Sequence, residues 1–454
     1  MLIDWNQEEV KIEISVTDTE ILTISTDDSE NDKLFISNIS TSASENESAS
    51  PFGICGSTSF DIEITDLDDL LSPNNTKSPY YDKIKNGTKV KVYLEDTETE
   101  KYVNYGTVYI NDIQGQFSEG GPGMISIYCK DKMDNIGSQE NPKIPCDKNI
   151  SVNDFVGKIL AGIQPPVEYS IDNTIASSNL IYGITVGEKI RDTLNSLAQY
   201  KQARITVNRD NIMTIRDAFG FYGKTYTLTP DSVAELSNSY RNATDYSKLS
   251  IEYNVEGFFI EDVLFNDNTH TLEVTDNNGK IIDDIKFRNK ALSIHSIKID
   301  FDNNKYKSTV DILDYKGYQD GLTELKYRLT GEDVSECTIY IEGACIDKGT
   351  RTKEKNLMED TESGTSINLN IKYIIDSNEA DDLLNRLESL VKLMSRQIII
   401  KTCATPHIDL GDKIILEDED FTPSYRGQYR VVGYKTIHGI GYSNTLTLVK
   451  IGEV

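Results

Sequence analysis

The chain has 454 residues, 26% charged and 38% hydrophobic, with 25 tyrosines and one tryptophan, which suits about three or four domains with sizeable cores rather than a disordered chain. A formal net charge of -28 argues against gripping nucleic acid through clustered lysine and arginine, and suits a wall past which a polyanion slides. The six cysteines, Cys55, Cys129, Cys146, Cys337, Cys345 and Cys403, form no CxxC pair, so neither a zinc ribbon nor a disulfide framework is indicated and a reduced, intracellular assembly site fits.

The start, MLIDWNQEEVKIEISV, carries no basic segment before an apolar core, and no apolar run approaches the roughly 18 residues of a membrane span, so neither a secretory signal nor a membrane anchor is expected. KLFISNIS and FDIEITDL alternate as half-buried strands around the loop ASENESASPFG. NGTKVKVYLED follows, then a hairpin in which Val108 and Ile110 share one face and, across Gly-Gly-Pro-Gly, Ile125 and Ile127 share one face. The first ~145 residues thus predict a small antiparallel barrel or sandwich. SVNDFVGKILAGI predicts a helix capped by Ser151, with Asp154 three residues on and Phe155, Val156, Ile159, Leu160 and Ile163 on one stripe. TVGEKIRDTLNSLAQYKQA predicts another, with Thr185 and Glu188 as a capping box and Ile190, Leu194, Leu197 and Ala198 inward, before the hairpin RITVNRDNIMTI. From 246 to about 370 strands and turns dominate; SNEADDLLNRLESLVKLMSRQ is then a helix with Leu383, Leu384, Leu387, Leu390, Val391 and Met394 on one face, and strands close the chain.

Those closing strands repeat the early ones. NGTKVKVYLED (86–96) matches LGDKIILEDED (410–420), YGTVYINDI (105–113) matches RGQYRVVGY (426–434), and MISIYC (124–129) is set against TLTLVK (445–450). Gly106 to Ile125 and Gly427 to Leu446 are both 19 positions, so one barrel is read as duplicated. Asp131 and Asp134, flanking Lys132 and Met133, meet no carboxylate at the aligned positions of the second copy, so the carboxylates are not part of what the barrel requires, and Asp131 is expected to cap the turn after the third strand.

The same stretches carry a resemblance. The sequence of GTKVKVY, YGTVYINDI, MISIYCKDKMDNI, SVNDFVGKIL, TVGEKIRDTLNSLAQY and RITVNRDNIMTI, with HIDLGDKIILEDEDF to TLTLVKIG near the end, resembles the baseplate hub and tail-tip proteins of tailed bacteriophages and R-type bacteriocins, over roughly residues 1–220 and 375–454. The resemblance implies a mainly β fold with an α/β insert (α+β): a first tube-like β-barrel over 1–145, a small α/β domain over 150–220, a β-rich central region over 221–370, and a helix plus second tube-like barrel over 375–454. It further implies a homotrimer whose six barrels adapt a sixfold tail tube to a threefold central spike, with the tube protein ring, spike, tape measure protein and other baseplate proteins as partners. The particle, a virion or a phage-tail-like contractile injection system, would be assembled in the bacterial host cytoplasm. DNA would pass the lumen without specific binding, and Lys89 and Lys413 would sit at junctions or face outward.

Some tail-tip proteins carry cell-wall hydrolases or bind receptors or glycans, and these are the alternative readings, the latter for residues 255–370. His270, His295, His407 and His438 form no HExxH or HxH motif, and Cys403 with His407 lacks a helix N-terminus to activate a thiolate. Asp276-Asn277-Asn278-Gly279 lacks the later ligands of a calcium loop and reads as a hairpin turn. Cys337 and Cys345 could meet only across a turn. No catalytic, cofactor-binding or metal-binding residue is expected, and the chain reads as a non-enzymatic structural protein.

Overall fold

A computed structural model of the chain describes residues 9–26, 33–44, 55–96, 101–116, 123–142, 147–218, 220, 223–239, 246–254, 259–271, 274–275, 281–300, 310–316, 322–329, 336–346, 350–357, 365–371, 373–374, 377–394, 397–402, 408–439 and 441–452. The fold is mainly β with an α/β insert, and its strands pair for the most part antiparallel.

The first barrel comprises β1 (Val10–Ser15), β2 (Ile21–Ser25), β3 (Leu34–Ser44), β4 (Ser57–Asp66), β5 (Lys89–Asp96), β6 (Lys101–Gln116) and β7 (Gly123–Lys130). Alternation puts Ile12, Ile14, Ile62, Ile64, Val90, Val92, Ile125 and Ile127 into one dry core. Strand order runs β3-β4-β7-β6-β5-β1-β2, and β2 lies back against β3 to close the sheet on itself. Asp131 then caps the short helix α1 (Lys132–Ser138): one carboxylate oxygen accepts from the Met133 N–H at 3.0 Å and the other from the Thr58 N–H at 2.7 Å. The cap thereby ties the helix to β4. Asp134 is 3.2 Å from Lys130 and 3.6 Å from Arg191.

The α/β unit follows with β8 (Asp147–Ser151), α2 (Val152–Leu160), β9 (Tyr169–Ile171), α3 (Asn173–Ala176), β10 (Asn179–Gly183), α4 (Ile190–Lys201), β11 (Ala203–Val207) and β12 (Met213–Asp217). Ser151 caps α2 by accepting from the Asp154 N–H at 3.1 Å, and all five residues of the expected stripe are buried. The start of α4 differs from expectation. Gly187 takes φ +68, outside the helical region, so the helix begins at Ile190 and Asp192, not Glu188, accepts from the Lys189 N–H at 3.0 Å.

The chain continues through β13 (Thr225–Thr227), β14 (Val233–Ser239), β15 (Tyr246–Asn254), β16 (Phe259–Thr271), β17 (Val274–Thr275), β18 (Ile281–Asp300), β19 (Val310–Lys316), β20 (Leu322–Leu329), β21 (Glu336–Ile346), β22 (Thr350–Asn356) and β23 (Thr365–Ile371). Strands β16 to β21 form a separate six-stranded sheet, ordered β16-β21-β18-β20-β19 with β17 on β18. Cys337 and Cys345 both lie on β21, eight positions apart on one strand and hence about 26 Å at strand rise. No turn brings them together. The triplet β22-β15-β23 packs under α5 (Ser377–Met394), whose Leu383, Leu384, Leu387, Leu390 and Val391 share a core with α2 and α4; the Met394 side chain lies outside those described.

The second barrel is completed by β24 (Gln397–Thr402), β25 (Lys413–Leu416), β26 (Gly427–Gly439) and β27 (Gly441–Gly452), joined by β13 and β14 from far upstream. Its core holds Ile398, Ile400, Ile414, Leu416, Tyr429, Val431, Leu446 and Leu448. The Asp276–Gly279 turn, Cys403 and His407 lie outside the described residues.

Candidate functional site

The two barrels share one hydrogen-bonded skeleton. Lys89, Val90, Lys91 and Val92 of β5 pair with Tyr109, Val108, Thr107 and Gly106, and Lys413, Ile414, Ile415 and Leu416 of β25 pair with Arg430, Tyr429, Gln428 and Gly427. Gly106 and Gly427 are therefore equivalent. The loop entering each first strand closes identically: the Gly87 N–H donates to Ile110 O at 2.7 Å and the Gly411 N–H to Val431 O at 2.9 Å, with φ at +86 and +85. A bulge follows in both, between Ile110 and Asp112 and between Val431 and Gly433.

The third strands match with a slip against the sequence alignment. Cys129 lies opposite Ile110 and Leu448 opposite Val431, so Ile127 corresponds to Leu446 rather than to Leu448. A shift of two keeps every side chain on its face, so alternation could not reveal it. Asp131 accordingly corresponds to Lys450, so the second copy has no carboxylate there. The register also finds a strand pair invisible in sequence: β14 stands to β24 as β3 stands to β4, with bulges between Val233 and Glu235 and between Ile36 and Asn38. Five strands are thus duplicated, β3-β4-β7-β6-β5 and β14-β24-β27-β26-β25.

The repeats meet edge to edge. The far half of β26 keeps β27 on one side and on the other pairs antiparallel with β3, from Gly433 opposite Ser44 to His438 opposite Ile39, merging both barrels into one thirteen-stranded sheet. Beneath this seam the Tyr105 hydroxyl donates to Thr436 Oγ1 at 2.9 Å, and Thr436 donates to Asn444 Oδ1 at 3.3 Å. The Tyr105 ring meets Phe60 and His438 edge-on, at centroid distances of 5.9 and 6.3 Å. Burial pushes the His438 imidazole down to about 4, so it is neutral at physiological pH.

The tip of the β11–β12 hairpin wedges into the same junction. Arg209 Nη2 donates to Ile408 O at 2.9 Å, its Nε lies 3.3 Å from Asp409 Oδ2, and its guanidinium carbon sits 4.7 Å over the Tyr105 ring. Asn104 donates to Arg209 O at 2.9 Å and Asn211 to the Tyr109 hydroxyl at 3.1 Å. One turn therefore touches the first barrel through Asn104, Tyr105 and Tyr109 and the second through Ile408 and Asp409. Burial alone would lower the Arg209 pKa, but Asp409, aided by Tyr434, Tyr105 and Asp412, outweighs it and holds the charge fixed. Asp412 locks the neighbouring loops by accepting from the Lys224 and Asp409 N–H groups, each at 2.7 Å, and burial raises its carboxyl to about 6. A polar cleft of about 170 Å³ beside it is lined by Arg204, Asn208, Arg216, Gly223, Asp409 and Asp412.

Chemically the arrangement fixes an angle between two barrels. Among the described residues no group of histidine, cysteine and carboxylate side chains could hold a metal ion. His438 is at the seam, while His270 and His295 lie on β16 and β18 in the separate sheet, so these three are not brought together. Arg209, Tyr105, Thr436 and Asp412 gave no signal in sequence: a turn arginine looks solvated until a second unit covers it.

No family model matches the chain, and no curated protein matches it either. Solved structures do. The 43 kDa tail protein of prophage MuSo2 from Shewanella oneidensis superposes with a TM-score of 0.53 at 11% identity, over 98% of this chain and 98% of its own. The tail protein from Neisseria meningitidis MC58 gives 0.52 at 10% identity, over 98% of this chain and 96% of its own. The chain has the fold of these tail proteins. At such low identity what is shared is the backbone plan, and the tail-protein fold here includes both barrels and the units between them.

Proposed function

We propose that the chain is a non-enzymatic structural hub of a phage tail or related injection particle, in which three copies form a ring that adapts a sixfold tail tube to a threefold central spike. The observation that carries this reading is the duplicated barrel joined edge to edge by β3 and β26. A closed ring needs the same heterologous contact at every junction, and two near-equivalent barrels per chain let three chains present six. Its neighbours in the particle would be the tube protein ring, the spike, the tape measure protein and other baseplate components. The net charge of -28 suits a lumen that repels a passing polyanion across distances comparable to the Debye length, about 8 Å at physiological salt. Lys89 and Lys413, which occupy the same register position in the two barrels, then lie away from that lumen.

Native mass spectrometry of the purified chain and imaging of particles labelled with an antibody to it test the reading. Trimers located at the distal end of the tube are expected. A stable dimer or hexamer in the assembled particle, or a position elsewhere, would overturn it.

A further inference from the structure

The internal seam has two counterparts that nothing within the described residues fills. On β26, pairing with β25 ends at Arg430 and the residues from Gly433 onward take β3 as their second neighbour. On β6, pairing with β5 ends at Tyr109, and Asp112 to Gln116 have only β7. By the shared register, Asp112–Gln116 corresponds to Gly433–Ile437. Likewise β3 is flanked by β4 and β26, whereas its counterpart β14 is flanked by β24 alone and ends the sheet.

From this we infer that β6 of one copy pairs antiparallel with β14 of a second copy of this chain, in the register of the internal seam. This rests on the ring reading above and names its contact. Lys435 opposite Ser42, Thr436 opposite Thr41 and Ile437 opposite Ser40 translate into Gln114 opposite Ser239, Gly115 opposite Asn238 and Gln116 opposite Ser237. The composition of the two edges agrees. Proteins protect solvent-facing edges with lysine, proline or inward charges, and Gln114-Gly115-Gln116 and Ser237-Asn238-Ser239 carry none of these. Gln114, Gly115, Gln116 and Ser237 are exposed. Their backbone groups are positioned as a template for a strand, and the molecule already shows, at β3 and β26, what strand its own architecture places there.

Paired cysteines read the register. Neighbouring positions of an antiparallel ladder alternate between wide and close spacing, so of Gln114→Cys/Ser239→Cys and Gly115→Cys/Asn238→Cys one has disulfide geometry. Under mild oxidation of the assembled full-length chain, one of these two double variants gives covalent trimers on non-reducing gels, and Gln114→Cys/Ser237→Cys, displaced by two, gives none. A second series leaves cysteine out. Gln116→Lys with Ser237→Lys weakens trimerisation at least tenfold, and Gln116→Lys with Ser237→Glu restores it.

Trimers by native mass spectrometry without cross-links in either in-register pair, and without the charge-swap rescue, would overturn the inference while leaving the ring reading standing. Cross-linking only in the displaced pair would overturn the register. Absence of trimers in the unmodified protein as well would overturn both.

Discussion

Set side by side, the two barrels agree in backbone and differ in almost everything else. In the first, Phe60 on β4 and Val108 on β6 fill the middle of the core; at the equivalent positions of the second stand Ile398 and Tyr429, so the aromatic ring has changed strands while the pair's volume is kept. Beyond the common five strands the barrels diverge: β5 is extended by the antiparallel hairpin β1–β2, whereas β25 receives only three residues of β13, running parallel. The conserved part is the part that presents β3 and β14 at one edge and β6 and β26 at the other. Strands that merely close a barrel have varied, and the five common strands have kept their pairing order, with the bulges beside Ile110 and Val431 and beside Ile36 and Val233.

The largest effect expected in testing this comparison is at the hairpin tip that holds the barrels together. Arg209→Ala removes the cation from a half-buried ion pair, a carbonyl bond and an aromatic face at once, and should lower unfolding free energy by about 3 kcal/mol in urea titration. Arg209→Lys should recover part of this, since it keeps the charge but not the planar fork. A loss near zero for the alanine variant would mean that the strand pairing of β3 with β26 fixes the barrels unaided.

Next come the opposed titrations at the junction. His438 has a folded pKa of about 4 against 6.5 when unfolded, so the unfolded chain binds more protons between those values and stability falls as pH drops through the window, by up to about 3 kcal/mol. Asp412 has a folded pKa of about 6 against 3.8, so the folded chain binds more protons and stability rises over nearly the same range, by a similar amount of about 3 kcal/mol. The two oppose each other in the native protein. In His438→Gln the denaturation midpoint should therefore rise from pH 6 to pH 4 relative to the native protein, and in Asp412→Asn it should fall. Parallel pH profiles in all three proteins would refute the assignment.

Gly106 and Gly427 are equivalent in register but needed for different reasons. A Cβ at Gly106 would come 2.8 Å from the Phe60 ring, while one at Gly427 would come 2.6 Å from the Lys450 side chain and 2.9 Å from the Gly452 carbonyl oxygen. Gly106→Ala should cost about 1–3 kcal/mol, and Phe60→Leu should relieve part of it, a rescue with no analogue at Gly427. The smallest effects belong to Gly87 and Gly411. Both turn at positive φ, so alanine at either should cost about 1–2 kcal/mol, and the two costs should agree within measurement error in thermal or chemical denaturation. Unequal costs would mean that the shared turn is differently constrained in the two barrels.

Much of the backbone plan was written locally. Alternation in KVKVY, the Ser151 cap and the leucine face of α5 each depend on neighbours within a few residues, and each is present at its expected place. The boundary of α4 escaped because capping-box letters at Thr185 and Glu188 compete with a glycine whose φ only the folded chain reveals. What tertiary structure alone decided is of another kind. The slip by two between the third strands is invisible to a pattern of period two. The equivalence of β14 with β3 spans a strand whose partner, β24, lies more than 150 residues downstream, and pairing at that separation is chosen by core shape and free edges rather than by letters. The junction itself came from neither barrel: Arg209 is an ordinary turn residue until Tyr105, Ile408 and Asp409 close round it, because desolvation and ion pairing exist only once separate segments have been brought into contact.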